Sequence, residues 1–318
     1  MSPAPAPSLA AARLCLVLAA VFWSLGSLFM RLVREPTALG LHDPPLSSLQ
    51  IAFYRGLFGG LVVLVLVRRA DVRFRPLMAG MVLAFTAMSG LYMSALALGP
   101  AASAIFLQNT APVWVYLFAV YLLGERGDRR GWQAVLLGGL GAVVIVAGGW
   151  PRDLPPGEQQ TQGLVLLMGV GSGMLYAVVM VCLRVLRAES AAWLVALNLV
   201  GTAVVLAVYV LACFGPGEFW AWVRAPSPAQ LGAFVVYGAV QMALPYWLFA
   251  RGLRVVPPQE AGIITLVEPL LNPVWAYLVT PEKDTPTGPM ALGGGLILAA
   301  LVWRYVPAKK PNPPRPLP

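Results

Sequence analysis

The sequence predicts an all-α membrane protein of ten transmembrane helices arranged as two inverted five-helix repeats, and three observations carry that reading. The first is composition: 59% of the 318 residues are hydrophobic and 11% are charged, with a mean hydropathy of +0.76, far more apolar than a soluble domain. The second is a succession of apolar runs of about twenty residues, the length a helix needs to cross a bilayer's hydrocarbon core. The third is internal repetition. Pro100 to Arg126 (PAASAIFLQNTAPVWVYLFAVYLLGER) aligns with Pro257 to Lys283 (PPQEAGIITLVEPLLNPVWAYLVTPEK) at a single offset of 157, pairing Pro100 with Pro257, Pro112 with Pro269 and Glu125 with Glu282. An offset of 153 pairs Trp23 with Tyr176, Arg31 with Arg184 and Arg34 with Arg187.

The opening residues 1–13 are rich in proline and alanine and are expected to be disordered. No basic segment precedes Arg13, so the first apolar run is expected to stay in the mature chain. The first repeat is expected over 14–150, a polar linker over 151–162, the second repeat over 163–305 and a disordered, basic, proline-rich tail over 306–318. Span one, from about Leu14 to Met30, carries Trp23; the loop after it, Arg31 to Pro45, holds the single histidine, His42. Span two, from about Leu46 to Val67, carries Arg55 near its centre, where a guanidinium is costly and marks a functional site or a brace that caps carbonyls between helices. Span three, Pro76 to Leu98, ends near Tyr92. Span four is the first copy of the repeated stretch, with Gln108 and Asn109 ahead of Pro112. Spans five (Trp132 to Trp150) and ten (Gly288 to Tyr305) share glycine clusters, which permit close helix contact within the bundle or at a homodimer face. Spans six (Gly163 to Leu186) and seven (Ala191 to Phe214) contain Tyr176 and Asn198. Span eight, Ala229 to Arg251, sets Tyr237, Gln241 and Pro245 at four-residue steps, followed by Tyr246.

Span nine is the most informative. Thr265, Glu268 and Asn272 fall one turn apart and share a helical face. Pro269 and Pro273 lack N–H groups, so the carbonyls of Thr265 and Pro269 are expected to lose their helical partners. Such a polar, interrupted face is tolerated against protein or a wet cavity, not against lipid.

The net charge of +9 is distributed between spans: Arg68, Arg69, Arg73, Arg75, Arg126, Arg129, Arg130, Arg184, Arg187, Arg251, Arg254 and the basic tail lie on one side. Arg31, Arg34, Arg152, Arg224 and Lys283 lie on the other, so both termini are expected in the cytoplasm and no nucleic-acid partner is inferred. Cys15, Cys182 and Cys213 stand alone in apolar runs, which gives neither a disulfide framework nor a zinc site; no metal or cofactor is expected. Five spans per repeat would insert the second half upside down, a pattern typical of secondary transporters.

The pair LQNTAPVW and LVEPLLNPVW, closing on GER and PEK, resembles the EamA type of the drug/metabolite transporter superfamily from about Leu14 to Tyr305. The resemblance implies a central cavity enclosed by spans one to four and six to nine, and export of amino acids, other metabolites or toxic compounds across a bacterial cytoplasmic membrane. Ala111 stands where the second half has Glu268, so a carboxylate role rests on one half alone. Glu268, Asn272, Gln108, Asn109, Gln241 and Arg55 are the polar candidates for a small-molecule site; Trp23, Tyr92, Tyr176, Tyr237 and Tyr246 are candidate walls, and Pro112, Pro245, Pro269 and Pro273 candidate hinges. Glu268 is either a proton carrier or one half of a permanent structural pair with Arg55. ATP-driven pumping lacks a G-x-x-x-x-G-K-[ST] run. A lipid-modifying intramembrane enzyme lacks histidines and a G-x-S-x-G elbow, and a scaffold without flux stays open as an alternative.

Overall fold

The computed structural model describes residues 8–150 and 156–306, which form a bundle of helices. The expectations for the extreme N-terminus, the middle of the linker and the tail fall on residues 1–7, 151–155 and 307–318, outside the described ones. Helices α1 (Leu9–Ser24) and α2 (Gly26–Arg34) form one span with a single irregular residue at Leu25, beginning ahead of the expected Leu14; Ser8 caps it by accepting the Ala11 N–H at 3.3 Å. Helix α3 (Ser48–Leu64) opens with a capping box of Ser47 and Gln50. Helix α4 (Pro76–Leu98) begins with a proline where its missing N–H costs nothing.

Span four is two helices, α5 (Ala101–Gln108) and α6 (Ala111–Tyr121). Helices α7 (Arg129–Gly149), α8 (Pro156–Val185) and α9 (Ala191–Arg224) follow. Helix α9 runs past the expected end at Phe214, turning at Gly215, whose φ of +86° only glycine adopts readily, ahead of Pro216. Span eight is α10 (Pro228–Tyr237), a π-helical segment at Gly238–Ala243 and α11 (Leu244–Gly252). Pro245 cannot donate to the Gln241 carbonyl, and the widened π turn lies directly before it. Span nine is α12 (Pro258–Ile264) and α13 (Val267–Val279), followed by the short α14 (Pro281–Asp284) and by α15 (Gly288–Tyr305).

Two sequence expectations are corrected here. Among the described residues, eight helices are long and apolar enough to cross a membrane, not ten. The expected span two is an α-helix of 17 residues, because after Leu64 the chain tightens into turns bonded three residues back, from Val65 to Val62 and Leu66 to Val63. The expected span ten, Gly288–Tyr305, is diluted by three consecutive glycines and a Trp-Arg-Tyr end. The inversion of the second half was deduced from five spans per repeat and lapses with that count. The second correction concerns the Thr265 carbonyl, which is not orphaned: the Glu268 N–H donates to it at 3.0 Å, a tightened turn that replaces the bond lost to Pro269. Pro273 sits inside α13 without interrupting it.

The glycines of spans five and ten serve the bundle. A Cβ on Gly141 would lie 2.6 Å from the Gly293 carbonyl oxygen, and one on Gly293 would lie 2.5 Å from that of Gly141, so α7 and α15 touch backbone to backbone. Gly139 and Gly295 meet nothing.

Arg31, expected in a loop, lies in α2 and is fully buried. Its Nε donates to Asp284 Oδ2 at 2.7 Å and Nη2 to Oδ1 at 2.9 Å, while Nη1 and Nη2 also donate to the Leu96 and Gly99 carbonyls at 2.9 and 2.8 Å. The Ala101 N–H and the Thr280 hydroxyl complete the Asp284 shell at 2.7 and 2.5 Å. Lys283 caps the cluster by donating to Glu35 at 2.8 Å and to the Ala97 carbonyl at 3.0 Å. Burial pushes the Asp284 carboxyl up, but the Arg31 hydrogen bonds and charge, aided by Ala101 and Thr280, bring it below the ordinary carboxylate range.

Breaking a buried pair leaves a lone charge, so Asp284→Asn is expected to cost about 3–5 kcal/mol in detergent unfolding, and the double change Arg31→Met with Asp284→Leu much less. Because the folded carboxyl titrates lower than the unfolded one, this stabilisation is complete above the ordinary aspartate range and lost as pH falls through the folded value. Wild type should therefore lose more stability than Asp284→Asn as the pH is lowered through and below the ordinary aspartate range. Gly141→Leu should lower stability by about 1–3 kcal/mol through overpacking, whereas Gly139→Leu, which meets open space, should leave the unfolding midpoint in place.

Candidate functional site

The site forms where interrupted helices meet. Spans four, eight and nine are all broken near their middles, at Asn109–Thr110, Gly238–Ala243 and Thr265–Leu266, and the span of α1 and α2 is irregular at Leu25. Breaks leave side chains and backbone groups turned toward each other where continuous helices would present ridges.

Span one lies along span nine in the same direction, laced at four levels. Arg13 pairs with Glu260 at 2.6 Å, the Trp275 indole donates to the Ser24 hydroxyl at 2.9 Å, the Ser27 hydroxyl donates to the Asn272 carbonyl at 2.5 Å, and Arg31 pairs with Asp284. The small Gly26 between them admits two amides. A Cβ there would lie 3.3 Å from Gln241 Nε2 and 3.9 Å from Asn272 Nδ2.

Around this seam nine of the sequence-predicted residues come together. Gln241 donates to the Trp23 carbonyl at 3.1 Å, and the Tyr237 hydroxyl donates to the Gly26 carbonyl at 3.2 Å while its ring stacks on Phe29 at 4.6 Å. Trp23 meets Tyr246 edge-on at 5.2 Å. The charge of Arg55 acts on the hydroxyls of Tyr92, Tyr237 and Tyr246, and that of Glu268 on Tyr92, Tyr176 and Tyr246. Arg55 and Glu268 thus lie within electrostatic reach of the same two hydroxyls, those of Tyr92 and Tyr246. Tyr92 also faces the Asn272 side chain.

No ion pair joins Arg55 to Glu268 among the described residues, so of the two alternatives for Glu268 the permanent structural pair is not formed. The buried pair that does bind the first half to the second is Arg31 with Asp284. Nor, among the described residues, does Arg55 donate to a carbonyl, and its Nε is buried without an acceptor. Glu268 sits in the first turn of α13, where a negative charge is favoured, yet among the described residues nothing donates a hydrogen bond to its carboxylate, which is half-buried. Asn272 Oδ1 and Gln241 Oε1 are buried acceptors without donors. Tyr176 remains 37% exposed within the span of α8. A guanidinium, a carboxylate and two amide oxygens with unused capacity, bordered by aromatic rings, make an incompletely satisfied polar centre rather than a finished core.

Gln108 and Asn109 stand apart from this set. Asn109 donates to the Ile105 carbonyl of its own helix at 2.8 Å, and Gln108 to the Met88 sulfur at 3.4 Å, so both support the break in span four. Sequence reasoning missed Ser24, Ser27 and Trp275, whose polar atoms stitch the seam. Their spacing carried a signal, since Trp23, Ser24 and Ser27 form a polar step in an apolar run.

Three comparisons bear on identity. A model of the EamA-like transporter family matches this chain twice, over residues 11–147 and 163–305. An uncharacterized transporter of Archaeoglobus fulgidus is 30% identical over 294 residues, covering 91% of this chain and 95% of its own. The pseudopaline exporter CntI of Pseudomonas aeruginosa, matched in two strains, is 26% identical over 286 residues, covering 87% of this chain and 90% of its own. A crystal structure at 20% identity covers 92% of this chain and 96% of its own with a TM-score of 0.59, a likeness of fold. With a duplicated family match spanning most of its length and a helical bundle interrupted about a polar centre, this multi-pass membrane protein belongs to the EamA-like transporter family.

Proposed function

We propose that this transporter exports small zwitterionic metabolites, amino acids and related amphipathic solutes, by alternating access driven by a proton gradient or by exchange. The observation that carries the reading is that Arg55 and Glu268 lie within electrostatic reach of the same two tyrosine hydroxyls without forming an ion pair with each other. Arg55 offers planar donors to an anionic end and Glu268 accepts from a cationic one. The free acceptors of Asn272 and Gln241 take further donors, and Trp23, Tyr92, Tyr176, Tyr237 and Tyr246 cover the apolar part. Export as the direction is supported by the CntI relatives, which are pseudopaline exporters.

Glu268 also suits proton coupling, because it can take up and release a proton without breaking an ion pair. Solute and proton then compete for one carboxylate. The breaks beside Pro112, Pro245 and Pro269 serve as hinges, since a helix lacking one ladder bond bends there at low cost. A bacterial-type inner membrane is the setting that the multi-pass bundle and the bacterial and archaeal relatives support.

Proteoliposomes loaded with a panel of labelled amino acids and their singly charged analogues test the reading. Zwitterions should be carried, and analogues lacking either charge should lose at least about tenfold in affinity, as unpaired buried partners would require. Glu268→Gln should insert normally but abolish proton-linked flux; unchanged pH dependence in that variant would remove proton coupling. Pro269→Ala should slow turnover more than it weakens solute binding, read as a drop in maximal flux at near-constant half-saturation.

A further inference from the structure

We infer that the end of the bundle formed by α6, α7 and α15 binds the phosphate headgroup of an anionic phospholipid. Four arginines gather there. Arg130 lies over the Trp303 ring at 5.1 Å and Arg304 over the Tyr116 ring at 5.5 Å, while Arg126 and Arg129 are exposed. Stacking fixes the plane of a guanidinium and leaves its in-plane N–H edge for oxygen acceptors.

The occupancy of those edges is uneven. Arg304 reaches both carboxylate oxygens of Asp128 at 3.3 and 3.4 Å. Arg130 makes no hydrogen bond or ion pair among the described residues, and its Nε is buried without an acceptor. The scaffold beneath is fixed: Asp128 caps α7 by accepting the Gly131 N–H at 3.2 Å, and the Tyr116 hydroxyl donates to the Asp128 carbonyl at 2.9 Å. Glu125, the other nearby carboxylate, is taken by Arg184 at 2.8 Å. Four cations therefore stand against the single carboxylate of Asp128, and the patch keeps a strong positive excess.

What surrounds the patch selects a lipid over a soluble anion. Along α7 the exposed Arg129 is followed by Leu136 and Leu140, 71% and 53% exposed, at spacings that keep all three on one outward face. A headgroup on the arginines would thus continue into acyl chains lying on those leucines. Basic pockets between membrane helices at the headgroup level recognise anionic lipids by charge-assisted hydrogen bonds to phosphate. The inference is independent of the transported solute.

The test uses the full chain in detergent, titrated with phosphatidylglycerol, with phosphatidylcholine of the same acyl chains, and with inorganic phosphate, and followed by thermal shift and native mass spectrometry. Phosphatidylglycerol should bind and stabilise, phosphatidylcholine should do so weakly, and inorganic phosphate should neither stabilise nor compete at millimolar concentration. Arg130→Ala should weaken phosphatidylglycerol binding by about fivefold, the effect of one basic residue at a charged membrane surface. Arg251→Ala, which removes an Arg–Trp stack of 5.5 Å on Trp247 elsewhere, should not. If Arg130→Ala does not fold, Arg126→Ala with Arg129→Ala carries the same expectation on exposed side chains. Equal binding of the two lipids, an equal loss in Arg251→Ala, or full competition by phosphate would each overturn the proposal.

Discussion

The bidentate pair of Arg31 with Asp284 is the constraint on which the rest of the bundle depends. Two ions removed from water are stabilising only if every donor and lone pair finds a partner, and here the shell is closed by the Leu96 and Gly99 carbonyls, the Ala101 N–H and the Thr280 hydroxyl. Those partners come from the end of span one, the corner between spans three and four, and the exit from span nine. One ion pair thus fixes where three chain segments meet, and the Lys283 and Glu35 pair shields it from above. Each segment leads directly into a stretch that lines the central site.

With the ends so fixed, the middle can be irregular. The breaks at Asn109–Thr110 and Thr265–Leu266, and the π turn before Pro245, would be costly in lipid, but inside the bundle their backbone groups are satisfied by tightened turns and by side chains such as Thr110 and Thr265. The interrupted geometry releases side chains from the ridges of regular helices and sets them around a common space. Arg55 and Glu268 then form no ion pair among the described residues, although the charge of each reaches Tyr92 and Tyr246.

Much of this arrangement was legible in the sequence, and the reason is local. A proline without an N–H removes a ladder bond wherever it lies, so Pro112, Pro245 and Pro269 announced the interruptions, although Pro273 is accommodated inside α13, and the polar residues beside Pro245 and Pro269 announced the polar centre. Ion pairing between distant segments has no such local mark. Arg31 read as a loop cation because it ends an apolar run, and only its partner 253 positions away explains its burial. Gln108 and Asn109 were drawn into the site by spacing, whereas their side chains stay with Met88 and with their own helix. The number of spans failed on the extent of two helices, since α3 ends after 17 residues and α15 is diluted by three consecutive glycines.

The lacing of span one to span nine has a mechanical meaning. Fastened at Arg13 with Glu260 and at Arg31 with Asp284, the two rods are held from sliding past each other, and the exposed first fastening is far weaker than the sealed second. A rod held at both ends and jointed at Thr265–Leu266 retains one compliant coordinate, bowing at the joint. Bowing there swings Glu268, three residues beyond the break, through a larger arc than any other charged group of that rod, so flexure of the strut and displacement of its carboxylate are a single motion.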